Sequence, residues 1–152
     1  MYCLQSTITR LYTLGANLAD RFQPVFLLLV RLYMSRVFFL SGLTKIRDWE
    51  TTIALFTDEY HVPFLPPEIA AAAGATGELA LPILLTLGLG GRFAAAGLFM
   101  VNLVAVLSYP DIAEAAKMEH FYWGAAFVML VVFGPGRYAV DAFIKARLDN
   151  KA

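Results

Sequence analysis

The stretch "FLLLVRLYMSRVFFLSGLTKI", residues 26–46, has the length and apolar content of a membrane-spanning helix, yet Arg31 and Arg36 interrupt it. About 20 helical residues at ~1.5 Å rise cross a hydrocarbon core ~30 Å thick. An ionisable side chain inside that core costs ~2.5 to 3.5 kcal/mol on insertion scales unless it is paired or wet. Neighbouring helices therefore have to supply partners for both arginines.

Such helices are available. The chain has 152 residues, 59% hydrophobic and 16% charged, against roughly a quarter charged in soluble domains. Apolar stretches occur near residues 24–46, 66–89, 92–109 and 112–134. A soluble bundle would show helices apolar on one stripe only, whereas "AAAAGATGELALPILLTLGL" (70–89) is apolar on nearly every side and belongs in lipid or a buried core. The expected fold is all-α: a single domain over residues 1–152, an integral membrane four-helix bundle. An external interfacial helix and a C-terminal amphipathic segment are expected beside it.

With four spans, both termini lie on one side of the membrane. That side holds Arg10, Arg21, Arg92, Arg137, Lys145, Arg147 and Lys151, and the other holds Lys45, Arg47 and Lys117. The positive-inside rule places both termini in the cytoplasm. Before the first span, Leu11, Leu14, Leu18 and Phe22 fall at helical spacing, which suggests a short amphipathic helix on the membrane, with a frayed tail as the alternative. No signal peptide is recognisable there. In the first external loop Trp49, Ile53, Phe56 and Tyr60 share one face, predicting a helix capped by Asp48, ended near "HVPFLPP" and suited to cover the bundle's mouth.

Counted from the cytoplasmic boundary at residue 24, Arg31 and Arg36 reach depths near that of Glu78 on the second helix, and Asn102 on the third lies level with them. Arg31, Arg36, Glu78 and Asn102 are therefore expected as a buried polar cluster, either a structural clamp or a ligand site. Pro82 frees the carbonyl of Glu78, and Gly42, Ala70, Gly74 and Gly77 allow close helix packing. At the outer mouth Lys45, His120 and Tyr122 are candidates, with Tyr109 and Trp123 nearby; an aromatic belt is the plainer reading for the tyrosines and tryptophan. His120 stands out because an imidazole is able to change charge near neutral pH.

Several functions are poorly supported. The net charge is zero and no basic cluster is interleaved with aromatics, so nucleic acid is not an expected partner. Two histidines and the lone Cys3 supply no recurring metal or haem ligand pattern, and no disulfide or Cys-x-x-Cys pair. No phosphate loop or nucleophile elbow occurs. Whether the chain is an enzyme stays open, and any electron carrier has to come from elsewhere.

The arginine of "VRLYMSRVFFLSGLTKI", the block "GELALPILLTLGLGGRFAAAGLFM" and the closing "FGPGRYAVD" resemble the DoxX family of small four-helix membrane proteins, from about residue 25 to 141. The resemblance implies a bacterial inner-membrane protein with Arg31, Lys45, Glu78, Arg92, Arg137 and Asp141 at the family's polar positions. Relatives named DoxD and DoxX are associated with a thiosulfate:quinone oxidoreductase, and others with oxidative stress or with gene clusters making modified metal-binding peptides. The implied function is a redox-associated accessory subunit, with a quinone as the one cofactor to expect and none held covalently. Its expected company is the bilayer, a partner oxidoreductase or membrane protein, or a further copy of the chain. A small-molecule transporter using the same cluster and a non-catalytic scaffold are the alternatives. Gly134, Pro135 and Gly136 should end the fourth span, and Arg137 with Asp141 should form an i, i+4 pair on the segment that follows.

Overall fold

The computed structural model describes the backbone of residues 2–109 and 111–151 and, within these, the side chains from residue 9 onward. Cys3 lies outside the described side chains. The described residues form six helices: α1 (Tyr2–Arg47), α2 (Trp49–Asp58), α3 (Pro67–Leu87), α4 (Gly91–Ser108), α5 (Glu114–Phe133) and α6 (Val140–Asp149). α1, α3 and α4 are long and apolar enough to cross a membrane. α5 runs back alongside α4 over its whole length: Gly124 faces Asn102 and Phe99, and Gly134 at its end faces Arg92 at the start of α4.

Residues 9–22 do not form a separate surface helix. α1 is one helix of 46 residues that continues through Pro24, about 69 Å at ~1.5 Å per residue. Leu11, Leu14, Leu18 and Phe22 are exposed on this arm, which extends past the bundle. Only from Leu27 onward does α1 bury a face, and Leu27, Arg31, Met34, Phe38 and Gly42 follow one another at helical spacing along it. Phe38 meets Trp123 and Phe127 of α5 edge to face, at 5.7 and 5.1 Å between ring centres. Leu85 of α3, Ala94, Ala95 and Leu98 of α4, and Phe127 and Leu130 of α5 complete the core.

Small residues set how closely the helices approach. A side chain at Gly42 would lie 3.1 Å from the backbone of Glu78, so α1 and α3 touch there almost backbone to backbone. Gly77 meets Val101 and Gly97 meets Leu81, fixing the crossing of α3 and α4. Ala70 and Gly74 instead receive Phe56 of α2. That short helix starts as its sequence predicts: the Asp48 carboxylate accepts the Thr51 N–H at 3.0 Å. Asp48 is held below its ordinary pKa by the Thr51 hydroxyl and N–H. Its inner face carries Thr52 and Phe56, while Trp49 is partly exposed.

Candidate functional site

Two polar centres occupy opposite ends of the bundle, and they divide residues that the sequence places in one cluster. At the end near the termini, Arg31 is 2% exposed and donates to the carbonyls of Pro135 at 2.8 Å and Tyr138 at 2.7 Å. Its guanidinium lies against Gly88, whose φ of 68° closes α3 in a left-handed cap. Asp141 does not pair with Arg137. Its carboxylate accepts the N–H of Gly90 at 2.9 Å and of Gly91 at 2.8 Å, capping α4 from a distant part of the chain, while its own N–H donates to Gly88 at 3.0 Å. Gly134 ends α5 at φ 81°, and Pro135 and Gly136 turn the chain toward α6, as their sequence predicts. Arg31, Gly88, Pro135 and Asp141 form a latch that joins four helix ends, in which both terminal nitrogens of Arg31 and both carboxylate oxygens of Asp141 bond to backbone, while the buried Arg31 Nε has no partner among the described residues.

Neither arginine pairs with Glu78. The helix does not begin at Pro24: because α1 continues below it, Arg31 is level with Gly88 at the end of α3, and Gly42 is level with Glu78. Arg36 is exposed on the outer side of α1, with no hydrogen bond or ion pair among the described residues. Its position about five residues, or ~7.5 Å, from the level of Arg31 lets it extend toward the interface.

Glu78 pairs with Lys45, at 2.6 Å from Nζ to Oε2, with the two side chains 17% and 8% exposed. Ser41 accepts a second Lys45 N–H at 3.0 Å. An ammonium has three donors, so one remains for a ligand. The pair stands on the wall of a cavity of about 680 Å³ bounded by α1, α3, α4, α5 and the lid of α2 and its following loop. Ser108, 2% exposed, also lines it, and its hydroxyl has no partner among the described residues.

His120 lines the cavity as well and is held in place by Asn102 behind it. The Asn102 amide donates to the His120 carbonyl at 2.9 Å, which orients its oxygen toward His120 Nδ1 at 2.7 Å. A neutral His120 therefore carries its proton on Nδ1 and leaves Nε2 as an acceptor. Trp123 holds the imidazole edge to face at 4.8 Å. Tyr122, by contrast, is 61% exposed and is no part of the lining. Ser41 and Ser108 carry no signal in the sequence, and Tyr60 is legible there only as a residue of the lid. Burial and the charges of Glu78 and Glu59 hold the Tyr60 phenol above its ordinary pKa, so it stays a neutral donor. The remaining walls are apolar, from Phe38, Phe56, Val101 and Trp123. Among the described residues no group of three His, Cys, Asp or Glu is placed to hold a metal ion.

A small helical membrane protein, latched at one end and hollow with a buried ion pair at the other, is the class that fold and site define. The family described as DoxX matches residues 26–110, more than half of the chain, and the chain belongs to it. No curated protein and no solved structure is significantly similar to it.

Proposed function

We propose that this DoxX-family protein is the membrane subunit of a redox system and holds a quinone headgroup in the cavity beside Lys45 and Glu78. The observation that carries this reading is a largely buried ion pair opening onto a mostly apolar hollow, together with the unpartnered hydroxyl of Ser108. A quinone presents two carbonyl acceptors on a flat apolar ring. The free N–H of Lys45 and the Ser108 hydroxyl are donors for those oxygens, and Phe38 and Trp123 offer surfaces for the ring. His120 Nε2 accepts the hydroxyl of the reduced form. No residue here carries electrons, so both electrons of quinone reduction come from a partner oxidoreductase, and the two protons come from solvent through the polar groups of the cavity. The charge distribution supports an inner-membrane setting with four crossings, α5 being the fourth, and both termini in the cytoplasm.

The test is ligand-dependent stability. Quinone added to the purified protein should raise its melting temperature by an amount growing as RT ln(1 + [L]/Kd), and Lys45→Met should abolish the rise while Arg36→Gln leaves it intact. Absence of any response to quinones sinks this reading. A scaffold role would then lead, favoured by the latch, whose family-position residues Arg31 and Asp141 serve the fold alone.

A further inference from the structure

The cavity is framed unevenly. On the α1 and α5 sides its lining is buried or half-buried, as at Phe38, Lys45, His120 and Trp123. At the lid, Phe56 stacks on Tyr60 at 4.9 Å and Tyr60 on Tyr109 at 5.0 Å, and the His61 N–H ties the loop to the Ser108 carbonyl at 2.7 Å. That aromatic stack and backbone bond tie the lid to the end of α4.

Between α3 and α4 the situation is reversed. The helices touch where Gly77 meets Val101 and Leu81 meets Gly97. Nearer the lid, Ala73 on α3 and Val104 and Leu107 on α4 line the cavity and are themselves exposed, as are Met100, level with that contact, and Pro63 and Leu65 of the loop. These six residues outline a window: its sill is the Gly77–Val101 contact, its sides are α3 and α4, and its lintel is the loop. From Val101 to Leu107 it spans six residues, about 9 Å at ~1.5 Å each. Every one of these rim side chains is apolar, and Met100, Val104 and Leu107 belong to a helix long and apolar enough to cross a membrane, so the rim suits hydrocarbon better than water.

We infer that the cavity is filled sideways from the bilayer through this window, and that its ligand is a tailed amphiphile whose head reaches Lys45 and Ser108 while its hydrocarbon tail stays in the lipid. This rests on the quinone reading above and deepens it: the ligand is a membrane quinone with a long side chain, and not a water-soluble one. The chemistry of the frame demands such a molecule. A charged or strongly hydrated solute has no polar group to meet it at the rim, whereas a tail leaving through Ala73, Met100 and Val104 remains in an apolar medium throughout.

Two measurements on the full chain in lipid nanodiscs test this. First, binding of decyl-benzoquinone and of tail-less benzoquinone is followed by thermal shift for the unmodified protein and for Ala73→Phe and Val104→Phe, both at exposed positions. Bulk in the window should weaken the tailed quinone by about tenfold or more, as expected for an overpacked site, and leave the tail-less one within about twofold. Second, a benzoquinone with a diazirine on the first carbons of its tail should on irradiation label Met100 or Val104 in the unmodified protein, and not Phe121 or Tyr122 on the far side of α5. Equal binding of both quinones by the variants, or labelling away from the window, overturns sideways access while leaving the headgroup site standing. Failure of the unmodified chain to bind either quinone overturns both.

Discussion

Replacing Glu78 by Gln removes the negative half of the Lys45 pair without changing its size. At 2.6 Å and an effective dielectric near 20, the gross attraction is about 6 kcal/mol. Much of that offsets the desolvation of both groups, so the net worth of the pair is small. Breaking it is different, because Lys45 then stays partly buried and uncompensated, at a cost of about 3–5 kcal/mol for a fully buried pair. With 17% of the Lys45 side chain still exposed, the lower end applies, about 3 kcal/mol. Lys45→Met should cost a similar amount. The double variant, with no orphaned charge, should lose less than the two singles together, by about 2–3 kcal/mol. Denaturant unfolding in detergent, followed by helical circular dichroism, gives the cycle. Arg36→Gln provides the control: its side chain is exposed and unpaired, so it should cost under about 0.5 kcal/mol and add to Glu78→Gln. Additivity between Lys45 and Glu78, or coupling between Arg36 and Glu78, would refute this account of the site.

At the latch, Asp141→Ala should destabilise the protein by about 1–2 kcal/mol in thermal melts, because two N–H groups at the start of α4 lose their acceptor. Gly88→Ala should cost more than about 2 kcal/mol, since its Cβ would come within 2.5 Å of Ala139 at a left-handed φ, while Gly15→Ala, in open space on a helix, should stabilise slightly. Asp48 has a lowered folded pKa, so its contribution is present above its unfolded value of about 3.9 and is lost as the pH falls through the folded one. Proteolysis within α2 should therefore increase on acidification below about pH 4, and Asp48→Ala should show the increase at neutral pH. Reporter fusions after Gly91 and Ala152 should report cytoplasm and one near Asp58 the opposite face; a C-terminus on the far side would overturn the charge argument for orientation.

The sequence by itself determined whatever depends on local chemistry. Apolar runs of membrane length, the Asp48 cap of α2 and the glycine stop of α5 at Gly134 each lie in a few neighbouring residues. Lys45, Glu78 and His120 could be singled out because charge is costly among apolar neighbours. Their partners could not, because pairing depends on how far one helix slides along another and how it is turned. Pro24 looks like a helix start, yet α1 continues through it, so depths counted from that point slide by seven residues, about 10 Å, and exchange one partner for another. Rotation separates the arginines as well: five residues turn a helix by about 140°, placing Arg31 on the buried stripe of Leu27, Met34 and Phe38 and Arg36 on the opposite side. Only the tertiary structure carries Asp141 across to the start of α4, and only the packing of α1, α3, α4 and α5 with the lid encloses the cavity, because both arise from contacts between segments far apart in the chain.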